Sequence, residues 1–408
     1  MQFHILSLFP DMFRGFLSDS VLRRGQESGA IHIETEDIRS YATNKHRHVD
    51  DAVYGGGAGM LLRPEPISAA IRSAKEKLPN AKVILLAPGG ELFTQRKAEQ
   101  LVREKNDLIL IAGRYEGVDF RVRDVLVDEE LSIGEYILSG GELAAAVVVD
   151  TVARLVPGVL GKTESIATES FSLNLYRQAE FPQFTRPEVW EDIPVPDVLL
   201  SGNHAEIERW QMSHIPGLSS AMQRILRVRR EFLPYKTKRL FFRNHEYSDI
   251  DYWLQWMNNK ETTQFLTVSP PMTQEDEEEY YDASQSNLCC LPLTICNRTT
   301  KTPIGSVRLD LDPLNDLSAS IGIVLGESAF RGKGIGREAI SVMFYIGFSE
   351  LGLERIHLDV FAENKTAIAC YEHCGMRQVG KVRKKYLKNT LLQDGYIYEI
   401  LKEDFFKP

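Results

Sequence analysis

No run of about 18 apolar residues occurs in this 408-residue chain, which excludes a membrane-spanning helix. Nor does the opening, Met1-Gln2-Phe3-His4-Ile5-Leu6, carry a basic stretch leading into an apolar one. No secretory leader is therefore expected, and the cytoplasm is the default location. Cysteine is scarce and one-sided: the five are Cys289, Cys290, Cys296, Cys370 and Cys374. None has C-x-x-C spacing and no two histidines stand at ligand spacing, so a zinc site is not expected, and the odd count fits reduced thiols. Their confinement beyond residue 288 marks a composition shift, as between two halves of separate origin. Positive charge is also in deficit. With 48 Lys and Arg against 57 Asp and Glu, the net charge of −9 argues against unselective coating of nucleic acid. A local basic patch remains open, either at Arg224, Arg227, Arg229, Arg230, Lys236, Lys238 and Arg239 or at Arg383, Lys384, Lys385 and Lys388. The second of these reads more simply as a solvated face.

What is present is an ordinary globular composition at a length that calls for two or three domains. The first half alternates short apolar strands (3–8, 82–86, 107–112) with amphipathic helices (66–77, 94–104, 142–154), the pattern of a parallel sheet in an α/β domain. A proline-punctuated stretch through Pro182, Pro187, Pro194 and Pro196 leads to helices at 204–210 and 219–232, and Pro234 closes the region. The second half reads as a strand at 237–243, helices near 249–257 and 274–282, and strands at 291–296, 303–311 and 319–325. A glycine-rich turn then opens a helix at 334–350, followed by a strand at 355–360, a helix at 365–374 and closing strands. The expected division is 1–165, 166–235 and 236–408. No repeat or low-complexity tract appears.

Three glycine-rich loops carry the signal in the first half: Val49 to Met60, Gly113-Arg114-Tyr115-Glu116-Gly117-Val118-Asp119, and Ser132 to Glu142. Glycine lets backbone N–H and C=O groups approach a ligand closely, and α/β sheets bind ligands where loops follow strands. Singly, each loop reads as well as a tight turn. No G-x-G-x-x-G follows a strand there, so a dinucleotide site is not supported. Together, and in order with Ser7-Leu8-Phe9-Pro10, Ala153-Arg154-Leu155-Val156-Pro157-Gly158-Val159-Leu160-Gly161, Phe184-Thr185-Arg186-Pro187 and Leu199-Leu200-Ser201-Gly202-Asn203-His204, they resemble the bacterial TrmD family of tRNA (guanine-N1)-methyltransferases. That family belongs to the knotted SPOUT class, and the resemblance spans roughly residues 1–232.

The resemblance implies a trefoil knot between about Leu85 and Leu143, a homodimer whose subunits share each active site, and a small helical tRNA-binding domain. S-adenosylmethionine is the implied methyl donor, held by Leu85, Leu86, Gly113, Tyr115, Gly117, Ile133, Gly134, Tyr136, Leu138, Gly140 and Gly141. The acceptor would be guanine N1 at tRNA position 37, just 3′ of the anticodon. N1 carries a proton at neutral pH, so a base must remove it, and charge then building on O6 calls for a cation. In the family an Asp-Ser-Phe element supplies the base and the A-R-x-x-P-G-V-L-G element an arginine, here Arg154. The base position reads Thr168-Glu169-Ser170-Phe171, so Glu169 replaces the usual aspartate and sets its carboxylate one methylene further out. The family's magnesium dependence makes Glu116 the candidate ligand for that ion. Arginines usual just after the G-N-H-A-x-I-x-x-W element are thinned, since Trp210 is followed by Gln211, Met212, Ser213 and His214.

In the second half, Arg331-Gly332-Lys333-Gly334-Ile335-Gly336-Arg337-Glu338-Ala339 joins a strand to a helix. Successive N–H groups at a helix start form an anion site. With strand 355–360, Asn364, Ala367 and Tyr371 following, residues 237–402 resemble the RimJ/RimL-like branch of the GNAT N-acetyltransferases, an α+β fold. The resemblance implies acetyl-CoA, its pyrophosphate held by Phe330 to Arg337. It also implies pantetheine amides paired with Ile323, Val324 and Leu325, an Asn364 contact to the CoA arm, and Tyr371 protonating the leaving thiolate. Glu327 is a candidate base, and the amine acceptor is not legible. A bifunctional enzyme and a single methyltransferase with a CoA- or RNA-binding second half both remain open.

Overall fold

The computed structural model describes residues 1–56, 59–160, 169–268, 270–388 and 390–407. Contacts gather into two compact units, Met1–Thr168 and Glu169–Pro408. Among the described residues no helix is long and apolar enough to cross a membrane.

The first unit is built on a parallel sheet of β1 (Gln2–Ser7), β2 (His32–Asp37), β5 (Lys82–Leu92), β6 (Leu108–Ala112) and β7 (Glu129–Ser132), in the order β2-β1-β6-β5-β7. A hairpin of β3 (Asp50–Ala52) and β4 (Met60–Leu62) stands beside it. All five residues of β6 are buried, as expected of a strand covered on both faces. Alternate residues feed two cores. Ile84, Leu86, Leu108 and Leu110 pack with Ala145, Val148 and Val152; Val83, Leu85, Ile109 and Ile111 pack with Ile67, Ala70, Ile71 and Ala74. The second set comes from helix α1 (Pro64–Lys77), whose buried positions follow the 3.6-residue period. The first comes from α2 (Glu142–Ala153), whose alanines and valines let it lie close on the sheet.

The second unit holds an eight-stranded sheet in the order β10-β11-β12-β13-β14-β15-β17-β16. Its strands are β10 (Tyr235–Lys236), β11 (Leu240–Asn244), β12 (Cys290–Asn297), β13 (Pro303–Asp312), β14 (Asn315–Leu325), β15 (Arg355–Phe361), β16 (Arg377–Lys388) and β17 (Leu391–Leu401), with a separate two-stranded β8 (Val189–Trp190) and β9 (Ile193–Pro194) before them. All neighbours are antiparallel except β14 and β15. Those two run parallel, and among the described residues their ladder covers only Ser318–Ser320 against Arg355–His357. Beyond it the strands part.

Helix α3 (His204–Ser213) is followed by α4 (Ser220–Arg227), which continues in a wider winding through Val228–Phe232. Ala221, Ile225 and Val228 are buried in one core with Leu291, Leu293, Val307 and Leu309. Arg229 follows them inside. Its guanidinium donates to the carbonyls of Ser284, Gln285, Asn287 and Cys290 at 3.0, 2.9, 3.1 and 2.7 Å. Those carbonyls end helix α7 (Gln274–Ser286) and begin β12, in front of which α5 (Ile250–Met257) and α6 (Lys260–Thr263) precede. Helices α8 (Ile335–Tyr345) and α9 (Lys365–His373) complete the unit.

Candidate active sites

In the first unit β5 lies between β6 and β7, and candidate glycine loops follow β6 and β7; the third, Val49 to Met60, runs instead through the β3–β4 hairpin, with residues 57–58 outside the described residues. Leu85 and Leu86 end the regular part of β5, whose register with β7 breaks between Leu86 and Glu91. Gly113, Tyr115 and Gly117 follow β6; Ile133, Gly134, Tyr136, Leu138, Gly140 and Gly141 follow β7. Eleven residues separated by up to 56 positions thus meet at one edge of adjacent strands. The last loop is laid directly on β6: Gly141 N–H donates to Gly113 O at 2.7 Å, and a Cβ on Gly141 would stand 2.9 Å from both Ala112 Cα and Gly113 N. Tyr115 and Tyr136 are half exposed around this edge.

A charged brace that sequence reading did not single out holds these loops. Arg114 Nε lies 2.9 Å from Glu142 Oε2, and its Nη1 donates to Ser139 O at 3.1 Å. The guanidinium also stacks over Phe9, 4.5 Å from the ring centre. Glu142 is 2% exposed and accepts from Ser7 Oγ at 2.8 Å. One ion pair therefore joins the loop after β6, the loop after β7 and the segment after β1. Gly140 sits under it, where a Cβ would run into Arg114 and Glu142. The only signal in sequence was the placing of two charges among glycines.

Arg154 caps the C-terminal end of α2, while Gly141 caps its N-terminal end. At 1.5 Å per residue these ends lie about 20 Å apart, so a single chain does not bring Arg154 to its own glycine loops. Glu169 belongs to the second unit, half-buried in a loop where Ser172 N–H donates to Glu169 O at 3.0 Å. Glu116 is exposed, and among the described residues no group of three or more potential metal ligands includes it. The one such group, His4, Glu34 and Glu36, already has the Lys77 ammonium on both carboxylates.

In the second unit the turn before α8 has Gly334 as helix cap at φ +73°, with no side chain capping the first N–H groups. Its carbonyls are tied back instead: Arg239 Nη1 donates to Lys333 O at 2.8 Å and Nη2 to Gly334 O at 3.2 Å, while Nε pairs with Glu338 at 2.6 Å. With carbonyls engaged behind it, the turn leaves the N–H groups of Ile335, Gly336 and Arg337 to face an anion. Lys333 is exposed there. Arg331 is engaged elsewhere, donating to Leu325 O, Gly326 O and Thr262 Oγ1 and pairing with Glu261 at 3.1 Å. Ile323, Val324 and Leu325 pair with Val307, Ser306 and Gly305 on one side and lie where β14 has parted from β15 on the other. Asn364 caps α9, its Oδ1 accepting from Ala367 N–H at 3.2 Å. Burial pushes the Tyr371 hydroxyl well above its ordinary pKa, so it stays protonated. Glu327 Oε1 accepts from the Trp256 indole at 2.9 Å.

A parallel sheet with glycine loops gathered at one edge, then a mixed sheet with one parted parallel pair, defines a two-domain α/β transferase architecture. Over residues 1–225 the sequence matches the family described as tRNA (guanine-1)-methyltransferase TrmD, and the chain belongs to that family. Residues 239–377 match the acetyltransferase (GNAT) domain. The tRNA (guanine-N(1)-)-methyltransferase of Chloroflexus aggregans is 56% identical over 214 residues, 52% of this chain and 82% of that protein. The one from Geobacter sp. is 50% identical over 233 residues, 57% of this chain and 90% of that protein. A solved tRNA (m1G37) methyltransferase from Aquifex aeolicus aligns at 35% identity over 52% of this chain and 88% of its own, with a TM-score of 0.44.

Proposed function

We propose that the first half transfers a methyl group from S-adenosylmethionine to N1 of guanine 37 in tRNA, and that the second half is an acetyl-CoA-dependent N-acetyltransferase. The observation that carries the first part is the meeting of the two glycine loops that follow β6 and β7, on either side of the β5 residues Leu85 and Leu86, locked by Arg114 and Glu142, in a chain of the TrmD family. Backbone approaching this closely at Gly140 and Gly141 leaves a cradle for the adenosyl group. When bound, the sulfonium supplies an already activated methyl. The chain's work is then to orient the base and remove a proton. Glu169 accepts the N1 proton, and the Arg154 guanidinium steadies the charge passing to O6. Because Arg154 lies at the far end of α2 from the loops of its own chain, the reading includes a homodimer in which Arg154 of one subunit serves the loops of the other. The threading of the loop after β7 against β6 fits a trefoil knot between Leu85 and Leu143. Glu116 alone does not form a magnesium site, and no step is routed through that ion.

In the second half the N–H groups of residues 335–337 would hold the CoA pyrophosphate, and the edge of Ile323–Leu325 on the parted side, where Arg331 already holds the Leu325 carbonyl, would pair with pantetheine amides. Asn364, whose Oδ1 accepts from Ala367 N–H, would offer its amide nitrogen to the CoA arm, and Tyr371 would donate its proton to the departing thiolate. A second reading, a CoA- or RNA-binding module without turnover, draws on the Trp256 indole that occupies Glu327, the one candidate base. Hydrolysis-corrected acetylation of a mixed amine panel separates the two.

The deciding experiment measures methyl transfer by the purified protein to two tRNA transcripts that differ only at position 37. Labelling of the guanosine transcript alone is expected; equal labelling of both, or of neither, overturns the first part.

A further inference from the structure

The loop that carries Glu169 is held from the acetyltransferase side of the chain. It closes on itself: Phe171 N–H donates to Gln178 O at 2.8 Å, and Glu180 N–H to Ser170 Oγ at 3.0 Å. Yet Phe171, Tyr176 and Arg177 sit at φ +64°, +54° and +57°, a region that side-chain-bearing residues avoid. A loop with three such residues needs holding from outside. Arg177 supplies the hold. Its Nη1 donates to Phe171 O at 3.0 Å, two residues from Glu169, and its Nη2 pairs with Asp282 Oδ1 at 2.7 Å. Both side chains are largely buried, at 13% and 14% exposure. Asp282 stands on α7, whose end is gripped by Arg229, and the same guanidinium lies 5.7 Å from the Tyr176 ring.

We propose that Arg177, paired with Asp282 of the acetyltransferase domain, is a positioning residue for methyl transfer that fixes the backbone carrying the base Glu169. The proposal rests on the reading of Glu169 as that base. It also accounts for a glutamate there. The longer side chain brings an extra rotatable bond, so its carboxylate is aimed only if its backbone is held firmly. Misplacing a reacting group by about 1 Å costs on the order of a hundredfold in rate.

The test uses the full-length protein with Asp282→Asn, Arg177→Lys and Glu169→Gln, alone and combined. Expected for Asp282→Asn is a fall in methyl-transfer kcat of about 10- to 100-fold, with KM for S-adenosylmethionine and for tRNA within about threefold of the parent. Thermal stabilisation by CoA should be unchanged. Arg177→Lys keeps the charge but not the fork to both partners, so its kcat should fall between parent and Asp282→Asn. In a Glu169→Gln background, Asp282→Asn should cost no further rate, which a merely structural role would not produce. An Asp282→Asn kcat within twofold of the parent overturns the proposal, as does an equal penalty in the Glu169→Gln background. If Glu169→Gln itself leaves kcat intact, it is the reading of the base that falls.

Discussion

Replacing Arg229 by methionine should destabilise the acetyltransferase domain by about 3 kcal/mol. The side chain is 5% exposed, and among the described residues no carboxylate pairs with it. Instead it donates to four backbone carbonyls, and it sits at the C-terminal end of α7, where the helix dipole favours a cation. Burial lowers its pKa, a mark of the desolvation it suffers. Methionine fills most of the stem volume but leaves the carbonyls bare. Two of the four bonds, to Ser284 and Cys290, are wholly buried. Each stranded carbonyl costs about 1–3 kcal/mol, and the relieved desolvation of the guanidinium returns part of that. Lysine, with one nitrogen in place of the fork, should lose about half as much. Urea unfolding followed by tryptophan fluorescence reads this domain through Trp253 and Trp256, which are buried there. At a typical slope, the midpoint should drop by about 1 M. A drop under about 0.3 M, or a rise, would show that desolvating the cation cancels its bonds, and would refute the reasoning.

Gly141→Ala places a Cβ 2.9 Å from the backbone of Ala112 and Gly113, so calorimetry should show S-adenosylmethionine binding weakened at least about tenfold; an affinity within twofold would separate this loop from the donor pocket. A hydrogen bond from the Cys374 thiol brings the Cys370 thiol down to about 7, and its sulfur stands 3.6 Å from where a Gly336 Cβ would be. Alkylation of Cys370 should therefore rise with a midpoint near pH 7 and slow when CoA is bound, whereas a rate indifferent to CoA would place the pyrophosphate elsewhere. Burial, with help from the Asp276 charge, pushes the Glu277 carboxyl up to about 7 from its ordinary 4.5. The folded protein then holds a proton that the unfolded chain releases between those values, so this stability is present below pH 4.5 and lost as pH rises through 7. Glu277→Gln should gain on the parent by about 2 kcal/mol between pH 5 and pH 8 in thermal melts, and a pH-independent difference would contradict the buried carboxyl.

Elements whose reason is local were legible in the sequence. The expected strand at 107–112 is observed as Leu108–Ala112, and the expected helix at 142–154 as Glu142–Ala153, because an unbroken apolar run and a small-residue helix announce themselves. Two strands of the parallel sheet were missed, His32–Asp37 and Glu129–Ser132, and both are rich in acid. Their carboxylates are compensated by distant lysines, Lys77 for Glu34 and Glu36, and Lys82 and Lys97 for Glu129, so no apolar alternation marks them. The helix expected at 219–232 formed, but which sheet its Ala221 and Ile225 face is a tertiary matter that amphipathicity does not settle. The same holds within the sites. Glycine loops could be read as ligand loops, whereas the Arg114–Glu142 pair, 28 residues apart, and the engagement of Arg331 by Glu261, 70 residues away, are products of folding.

The parting of β14 from β15 after Ser320 has a consequence for what the second site can discriminate. A gap in a sheet is a template for a strand, and it is satisfied by any guest that offers amide donors and acceptors at strand spacing. With a CoA thioester as the proposed guest, such a gap would read the handle and be blind to its acyl load. Carrier and cargo would accordingly be selected by different surfaces, the handle by backbone that mutation hardly alters, and the cargo by side chains free to diverge.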